Sequence, residues 1–396
     1  MENLRDKVLL VVSQNYASFV KDQVESIAPY FRRVYVLAVT RPVAEISNFL
    51  PIHSLKPFRQ KVKINLSELP ENVTVITTPL YYLPFSFWYK KVGEQHLRAV
   101  RKAIKKNDIS FDIIHCHFTY SSGYVGKRLK EEFRVPLIVT AHGFDVYDLP
   151  FRNAFWQKKV AATLKSANRI ITVSKNNVEC IRRIGVETAV DLIPNGYQKK
   201  LFYPLGKIKS RRTLQLPESG KVIVSVGNLI AVKGHKYLVE AVSGLQKQHK
   251  DLFCYIIGSG GCRKQLEAQI SRLGLGEKVI LVGALRHDEI NTWLGAADMF
   301  VLPSLKEGNP TVLFESLACG CPFISAHVGG VSEIIDDEKL GYLFHPGNVK
   351  DMEVALGKAL TRHWDKEYII EKSQAYSWEC IAVEIVKSYG AVLESC

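Results

Sequence analysis

Residues 299–326 read MFVLPSLKEGNPTVLFESLACGCPFISA. Two short apolar runs, MFVLPS and CPFISA, bracket one helical stretch, TVLFESLAC, which Gly320 and Pro322 bring to an end. Runs that short and that uniformly apolar suit strands buried on both faces, and parallel strands need a crossover helix between them. The stretch is therefore a strand-helix-strand unit of a parallel sheet. Its polar residues, among them Glu307 and Glu315, lie in the loop after the first strand and in the helix that follows.

The same alternation extends outward. VIVSVG, FCYIIGSG and KVILVG precede the unit, separated by helical segments such as KYLVEAVSGLQKQ and CRKQLEAQISRLG. The first half repeats the pattern with KVLLVV, VKDQVESIAPYF, RVYVLAV, DIIHC, PLIVTAHG and RIITVS. Between the halves, LIPNGYQKKLFYPLGKIKSRR gathers Pro, Gly and basic residues and reads as a linker. A chain of 396 residues is long for one core. The expectation is an α/β protein of two doubly wound, Rossmann-like domains, 1–203 and 204–378, with ligands beyond the carboxyl ends of the strands.

The net charge of +14 is unevenly placed. Residues 1–203 hold 31 Lys and Arg against 17 Asp and Glu, whereas residues 204–396 hold 22 of each. A nucleic-acid binder would need basic grooves interleaved with stacking aromatics, and the neutral second half argues against one. No apolar run approaches the ~18 residues of a membrane span, and MENLRDKVLLVV lacks the layout of a signal peptide. The expected location is cytoplasmic. The eight cysteines are irregularly spaced, with only Cys319 and Cys321 close together, so reduced thiols are expected rather than disulfides or a zinc site. His115-Cys116-His117 ends the apolar strand FDII, which favours a strand-end role over metal ligation.

Three loops carry ligand chemistry. In NLIAVKGH, Lys233 stands between a strand and a helix, a place suited to phosphate, although Val232 and Gly234 rule out a Walker loop. In YIIGSGGC, Gly258 and Gly260 permit close backbone approach without matching a dinucleotide fingerprint. In the opening stretch, Asn309 is expected as N-cap and Pro310 as first helical residue, leaving the N–H groups of Thr311, Val312 and Leu313 for an anion of diphosphate size. A glutamate pair eight residues apart is ordinarily one solvated loop residue and one helix-surface residue. Beside a diphosphate site, each carboxylate can instead accept hydrogen bonds from sugar hydroxyls. A glycosidase acid-nucleophile pair would have no use for the phosphate site.

The ordered motifs VGNLIAVKGH, GSGGCRKQLE, AADMFVLPSLKEGNPTVLFESLACGCPFISAHVGGVSEII and YSWECIAVEIVKSY resemble those of the retaining glycosyltransferases of family 4, and the resemblance extends over nearly the whole chain. It implies the GT-B fold, two Rossmann-like domains facing across a cleft, with residues 379–396 forming a terminal helix that crosses back to the first. It makes Glu307 and Glu315 the family's E-x7-E pair, Glu307 facing the donor hexose and Glu315 the ribose. Lys233 would meet the donor diphosphate, and the backbone at Gly308, Asn309, Thr311 and Val312 would cradle sugar and phosphates. From TAHGFD, His142 would reach the donor sugar, with Asp145 beside it. Asn228 stands where relatives often carry Arg, and either Arg263 compensates or Lys233 suffices. SQNYASF replaces the frequent Gly-Gly loop and places Ser13 and Tyr16 on the acceptor side.

The resemblance further implies a UDP- or GDP-linked sugar as co-substrate and retention without an enzymic nucleophile. No metal or cofactor is required by that scheme, and no D-x-D motif occurs. Base recognition would use backbone near Gly283 to Arg286. LYYLPFSFWYKK followed by LRAVRKAIKK pairs aromatics with a cationic helix, suited to an anionic membrane surface and a lipid-linked acceptor. A nucleotide-sugar epimerase of the same fold and a transferase using a soluble acceptor are the alternatives.

Overall fold

The computed structural model describes residues 4–48, 53–82 and 86–394. Contacts divide the chain into two units, Met1–Asn195 with Trp378–Cys396, and Gly196–Ser377. The first break falls before the expected Tyr203 for a physical reason. The Tyr197 N–H donates to the Tyr376 carbonyl at 3.0 Å, and Phe202 is buried in the second unit's core. Trp378, expected at the end of the second domain, is instead buried in the core of the first.

The first unit holds strands β1 (Val8–Ser13), β2 (Arg33–Thr40), β3 (Val73–Pro79), β4 (Ile113–His117), β5 (Leu137–Ala141), β6 (Arg169–Thr172) and β7 (Val190–Leu192). All pair in parallel, in the order β3-β2-β1-β4-β5-β6-β7. Every residue of β1, β4 and β5 is buried, as the uniformly apolar runs require. The terminal helix Trp378–Leu393 packs against the helix Ser18–Ile27 within this unit. Its Tyr389 hydroxyl lies 2.6 Å from His115 Nδ1.

The second unit holds β8 (Lys221–Val226), β9 (Leu252–Ile257), β10 (Val279–Gly283), β11 (Met299–Leu302), β12 (Phe323–Ala326) and β13 (Gly341–Phe344), also parallel, in the order β10-β9-β8-β11-β12-β13. Just before β11, Asp298 accepts from Lys207 Nζ at 2.6 Å, from Arg211 at 2.7 Å and from the Val222 N–H at 2.7 Å. Burial alone would raise its carboxyl, but these donors outweigh burial and hold the pKa below the usual range. The cluster ties the helix Lys207–Thr213 to the edges of the two central strands.

In both sheets the strand order reverses beside the first strand, between β1 and β4 and between β8 and β11. Connections leave such neighbours in opposite directions, opening a crevice beyond their carboxyl ends.

Candidate functional site

In the second unit, the loops leaving β8 and β11 meet at the reversal point. Lys233 Nζ lies 2.7 Å from Glu307 Oε1, and the Ser304 hydroxyl donates to the same oxygen at 2.6 Å. Backbone contacts hold the loops together. The Leu305 N–H donates to the Val232 carbonyl at 2.8 Å. Gly234 sits at φ 67°, where a Cβ would lie 2.0 Å from the Pro303 carbonyl oxygen. From the loop after β12, Gly330 donates to the Gly308 carbonyl at 2.8 Å, and a Cβ on Gly329 would strike the Glu307 carbonyl oxygen at 2.3 Å.

The helix of the opening stretch is Thr311–Ala318, one residue later than expected. Pro310, extended at ψ 120°, stands at the N-cap, and its carbonyl accepts from the Leu313 N–H at 3.1 Å. Asn309 is therefore not the cap. Leu313 is not an open donor either, and the helix start offers the N–H groups of Thr311 and Val312. One turn in, Glu315 is buried, and its Oε1 lies 2.9 Å from His287 Nε2. His287 is half-exposed, in the turn after β10, with its ring edge-on to Phe202 at 4.9 Å. Neither His287 nor Ser304 is marked by any spacing in the sequence. Both become visible only when the loops converge.

The other donor-side expectations change. Arg263 lies 2.8 Å from Glu267 and donates to the Leu281 carbonyl at 3.2 Å. Asn228 is exposed in the loop after β8. The glycines Gly258 and Gly260 do permit close approach, but to the protein itself. A Cβ there would meet the Gly227 and Leu229 carbonyl oxygens at 1.9 and 2.4 Å. Gly283, at φ 104°, gives its carbonyl to the Gly258 N–H at 2.7 Å. Beneath the Lys233 loop, burial lowers the pKa of His235 to about 4 and keeps the ring neutral.

In the first unit, His142 Nε2 lies 3.0 Å from His117 Nδ1, and its ring packs between Phe19 and Phe118 at centroid distances of 4.8 and 4.7 Å. His117 stacks in turn on His115 at 4.6 Å. Both His115 nitrogens are occupied, by Tyr389 and by Thr140 Oγ1 at 2.6 Å each, which leaves no lone pair for a metal. Among the described residues, no group of three or more His, Cys, Asp or Glu has metal-site geometry.

Three further candidates, Asp145, Tyr16 and Ser13, are buried with protein partners. Asp145 is buried and accepts from the N–H groups of Thr119, His142 and Gly143 at 2.8, 3.1 and 3.0 Å. Burial raises its pKa against those donors. Tyr16 is fully buried, with its N–H bonded to the Lys63 carbonyl at 2.7 Å and its hydroxyl 3.3 Å from Glu25. Ser13 is also fully buried, and its Oγ accepts from the Asn15 N–H at 3.3 Å.

Residues 206–376 match the family model for glycosyl transferases group 1, and residues 60–200 match that for glycosyltransferase family 4. An uncharacterized glycosyltransferase of Methanocaldococcus jannaschii is 31% identical over 301 residues, covering 72% of this chain and 76% of its own. The D-inositol 3-phosphate glycosyltransferase of Acidothermus cellulolyticus is 28% identical over 313 residues, covering 72% of this chain and 68% of its own. Among solved structures, Anabaena HepE in complex with UDP superposes with a TM-score of 0.74 at 18% identity, over 97% of this chain and all of that one.

The histidine stack makes a prediction about acid. Burial lowers the pKa of His117 to about 3, and burial with the neighbouring rings sets those of His115 and His142 well below the usual value. Because the folded values lie below the unfolded value of about 6.5, the stability held in these neutral rings is whole above that pH and is lost as pH falls toward 3. In thermal melts between pH 7 and 4, His117→Gln should start lower than the parent and decline less steeply. Parallel slopes would show that the stack does not titrate with unfolding.

Proposed function

The chain belongs to the family 4 and group 1 glycosyltransferases of the GT-B fold, and on that premise we propose that it is a retaining hexosyltransferase using a nucleotide-diphosphate sugar. The observation that carries this reading is the meeting of Lys233, Glu307 and the start of the helix Thr311–Ala318 at the strand-order reversal. On this reading a cation and the Thr311 and Val312 N–H groups are the groups that meet the diphosphate. The carboxylates flank it, Glu307 for the hexose and Glu315, oriented by His287, for the ribose hydroxyls. The UDP complex of HepE supports a nucleotide donor, with UDP as its first candidate.

In the proposed reaction the acceptor hydroxyl oxygen bonds to the anomeric carbon as the bond from that carbon to the diphosphate oxygen breaks. Its proton passes to the departing diphosphate on the same face, so configuration is kept. No enzymic nucleophile or metal enters this scheme. Lys233 and the helix start stabilise the charge growing on the diphosphate, while Glu307 serves the positively charged sugar. The Gly234 and Gly329 contacts hold Glu307 and Lys233 in place before the donor arrives, so little reorganisation accompanies the reaction.

The acceptor is proposed to be a lipid-linked or other polysaccharide or glycolipid precursor, reached at the cytoplasmic face of a membrane. The helix Ser86–Lys106 supports this with a half-exposed Trp88 and a basic run from Arg98 to Lys106. Leu83, Pro84 and Phe85 of the aromatic segment lie outside the described residues. No helix among the described residues is long and apolar enough to cross a membrane. Binding to anionic vesicles at low salt, reversed at high salt, is the expected behaviour, and no binding at low salt would remove the membrane from the proposal.

Steady-state kinetics with a UDP-sugar should separate the two glutamates. Glu307→Ala should lower kcat by about a hundredfold or more with little change in donor affinity. Glu315→Ala should instead weaken donor binding by about tenfold. Full activity in both variants would refute the site assignment. Turnover of donor to its epimer without acceptor would favour the epimerase.

A further inference from the structure

One pocket of the first unit has no part in the site described so far. It lies beyond the carboxyl ends of β1, β2 and β3, has a volume of about 60 Å³, and is lined by Gln14, Arg41, Phe58, Lys63, Tyr82 and Tyr89 among others. The Arg41 guanidinium carbon lies 4.2 Å from the Phe58 ring centre and 4.5 Å from that of Tyr82. Lys63 Nζ lies 5.8 Å from the Phe58 ring. Both cations are half-buried.

The local fold places them deliberately close. Arg41 directly follows β2, and the Leu80 N–H donates to the Thr40 carbonyl at 2.9 Å, which brings the chain after β3 beside it. Lys63 ends the short helix Gln60–Lys63, which is tied to the loop after β1. The Tyr16 N–H donates to the Lys63 carbonyl at 2.7 Å, and the Asn65 N–H donates to the Tyr16 carbonyl at 2.8 Å. Tyr16 therefore serves this pocket by fixing the backbone of Lys63.

Among the described residues, neither cation has a carboxylate partner, and the sequence explains why. No Asp or Glu occurs between Glu45 and Glu68, or between Glu71 and Glu94, so the two stretches of sequence that contribute Phe58, Lys63, Tyr82 and Tyr89 are neutral or basic throughout. Of the flanking acids, Glu45 accepts from the Gln60 N–H and from Asn48 Nδ2, and Glu94 from the Tyr124 hydroxyl. Asp145, the one carboxylate of this unit that is buried among the described residues, is taken up by backbone N–H groups. Burial lowers the pKa of both cations, and Arg41 lowers that of Lys63 further. Two half-buried like charges without a counter-ion are costly, and a bound anion removes the cost.

We propose that Arg41 and Lys63 form a subsite for a phosphoryl group carried by the acceptor. The inference rests on the reading that the first unit receives the acceptor of a glycosyl transfer. A phosphomonoester carries close to two negative charges at neutral pH, matching the two cations, whereas a carboxylate would leave one uncompensated. Arginine offers a planar fork of donors to two oxygens and lysine a point charge to the remainder. The volume admits the phosphoryl group with the rest of the acceptor outside. A sugar phosphate and a phosphate-linked lipid share this chemistry.

The test uses the full-length protein with inorganic phosphate, glucose 6-phosphate, glucose and a short polyprenyl phosphate as probes, followed by calorimetry and thermal melts. Inorganic phosphate should bind and raise the melting temperature, and Arg41→Gln and Lys63→Gln should each weaken it by about tenfold or more. Without phosphate both variants should melt at or above the parent temperature, because each loses an uncompensated charge. This control separates a lost site from a lost fold. A preference for glucose 6-phosphate over glucose points to a sugar phosphate, and a preference for the prenyl phosphate points to a lipid carrier. Equal phosphate binding in parent and variants, or no phosphate binding in the parent, would overturn the proposal. UDP binding, assigned to the second unit, reports on the transferase reading independently.

Discussion

An ammonium and a carboxylate 2.7 Å apart, Lys233 from the loop after β8 and Glu307 from the loop after β11, close the point where the second sheet reverses its strand order. Both side chains are largely sheltered from water, at 24% and 11% exposure. Such a pair recovers part of its desolvation cost through a direct hydrogen bond, and the Ser304 hydroxyl supplies another. Much of the surrounding backbone exists to allow that contact. Gly234 and Gly329 let three loops pack carbonyl against Cα, closer than any side chain would permit. The consequence is a site whose cation and carboxylate neutralise each other until a ligand with its own negative charge competes for the lysine.

The first unit solves a different problem. Its reversal point is filled by neutral histidines, His115 and His117 buried and His142 partly so, and by Asp145, which gathers three backbone N–H groups and fixes the loops after β4 and β5. Charge is instead concentrated one step outward, at Arg41 and Lys63, where aromatic rings rather than carboxylates surround it. The two units thus carry complementary electrostatics on similar sheets. One presents a balanced ion pair, and the other an unbalanced pair of cations.

Strands buried on both faces were legible in the sequence because their apolar runs are unbroken, as in VLLVV of β1 and MFVL of β11. The strands that escaped reading are those whose composition departs from that rule. β3, VTVITTP, is more than half threonine and proline with only partial burial, β7 is three residues long, and β13 begins with glycine at the sheet edge. In the candidate site, Lys233 and Glu307 were singled out from their loops, and the structure brings the two together. His287 was not, since its partnership with Glu315 spans 28 residues. Ser13 and Tyr16 were misplaced because a polar loop after a first strand resembles a ligand loop, whereas tertiary hydrogen bonds to residues 63–65 bury it. The Asn309-Pro310 start was read one residue early because an extended proline can itself occupy the cap.

The central claim is that Lys233 is shared between Glu307 and the diphosphate of a donor. Calorimetric titration of UDP into the parent, Lys233→Met and Glu307→Gln tests it most directly. If the lysine is shared, Lys233→Met weakens UDP binding and Glu307→Gln, which removes the competing charge while keeping the shape, leaves it equal or tighter. Weaker UDP binding in Glu307→Gln together with unchanged binding in Lys233→Met would contradict the account.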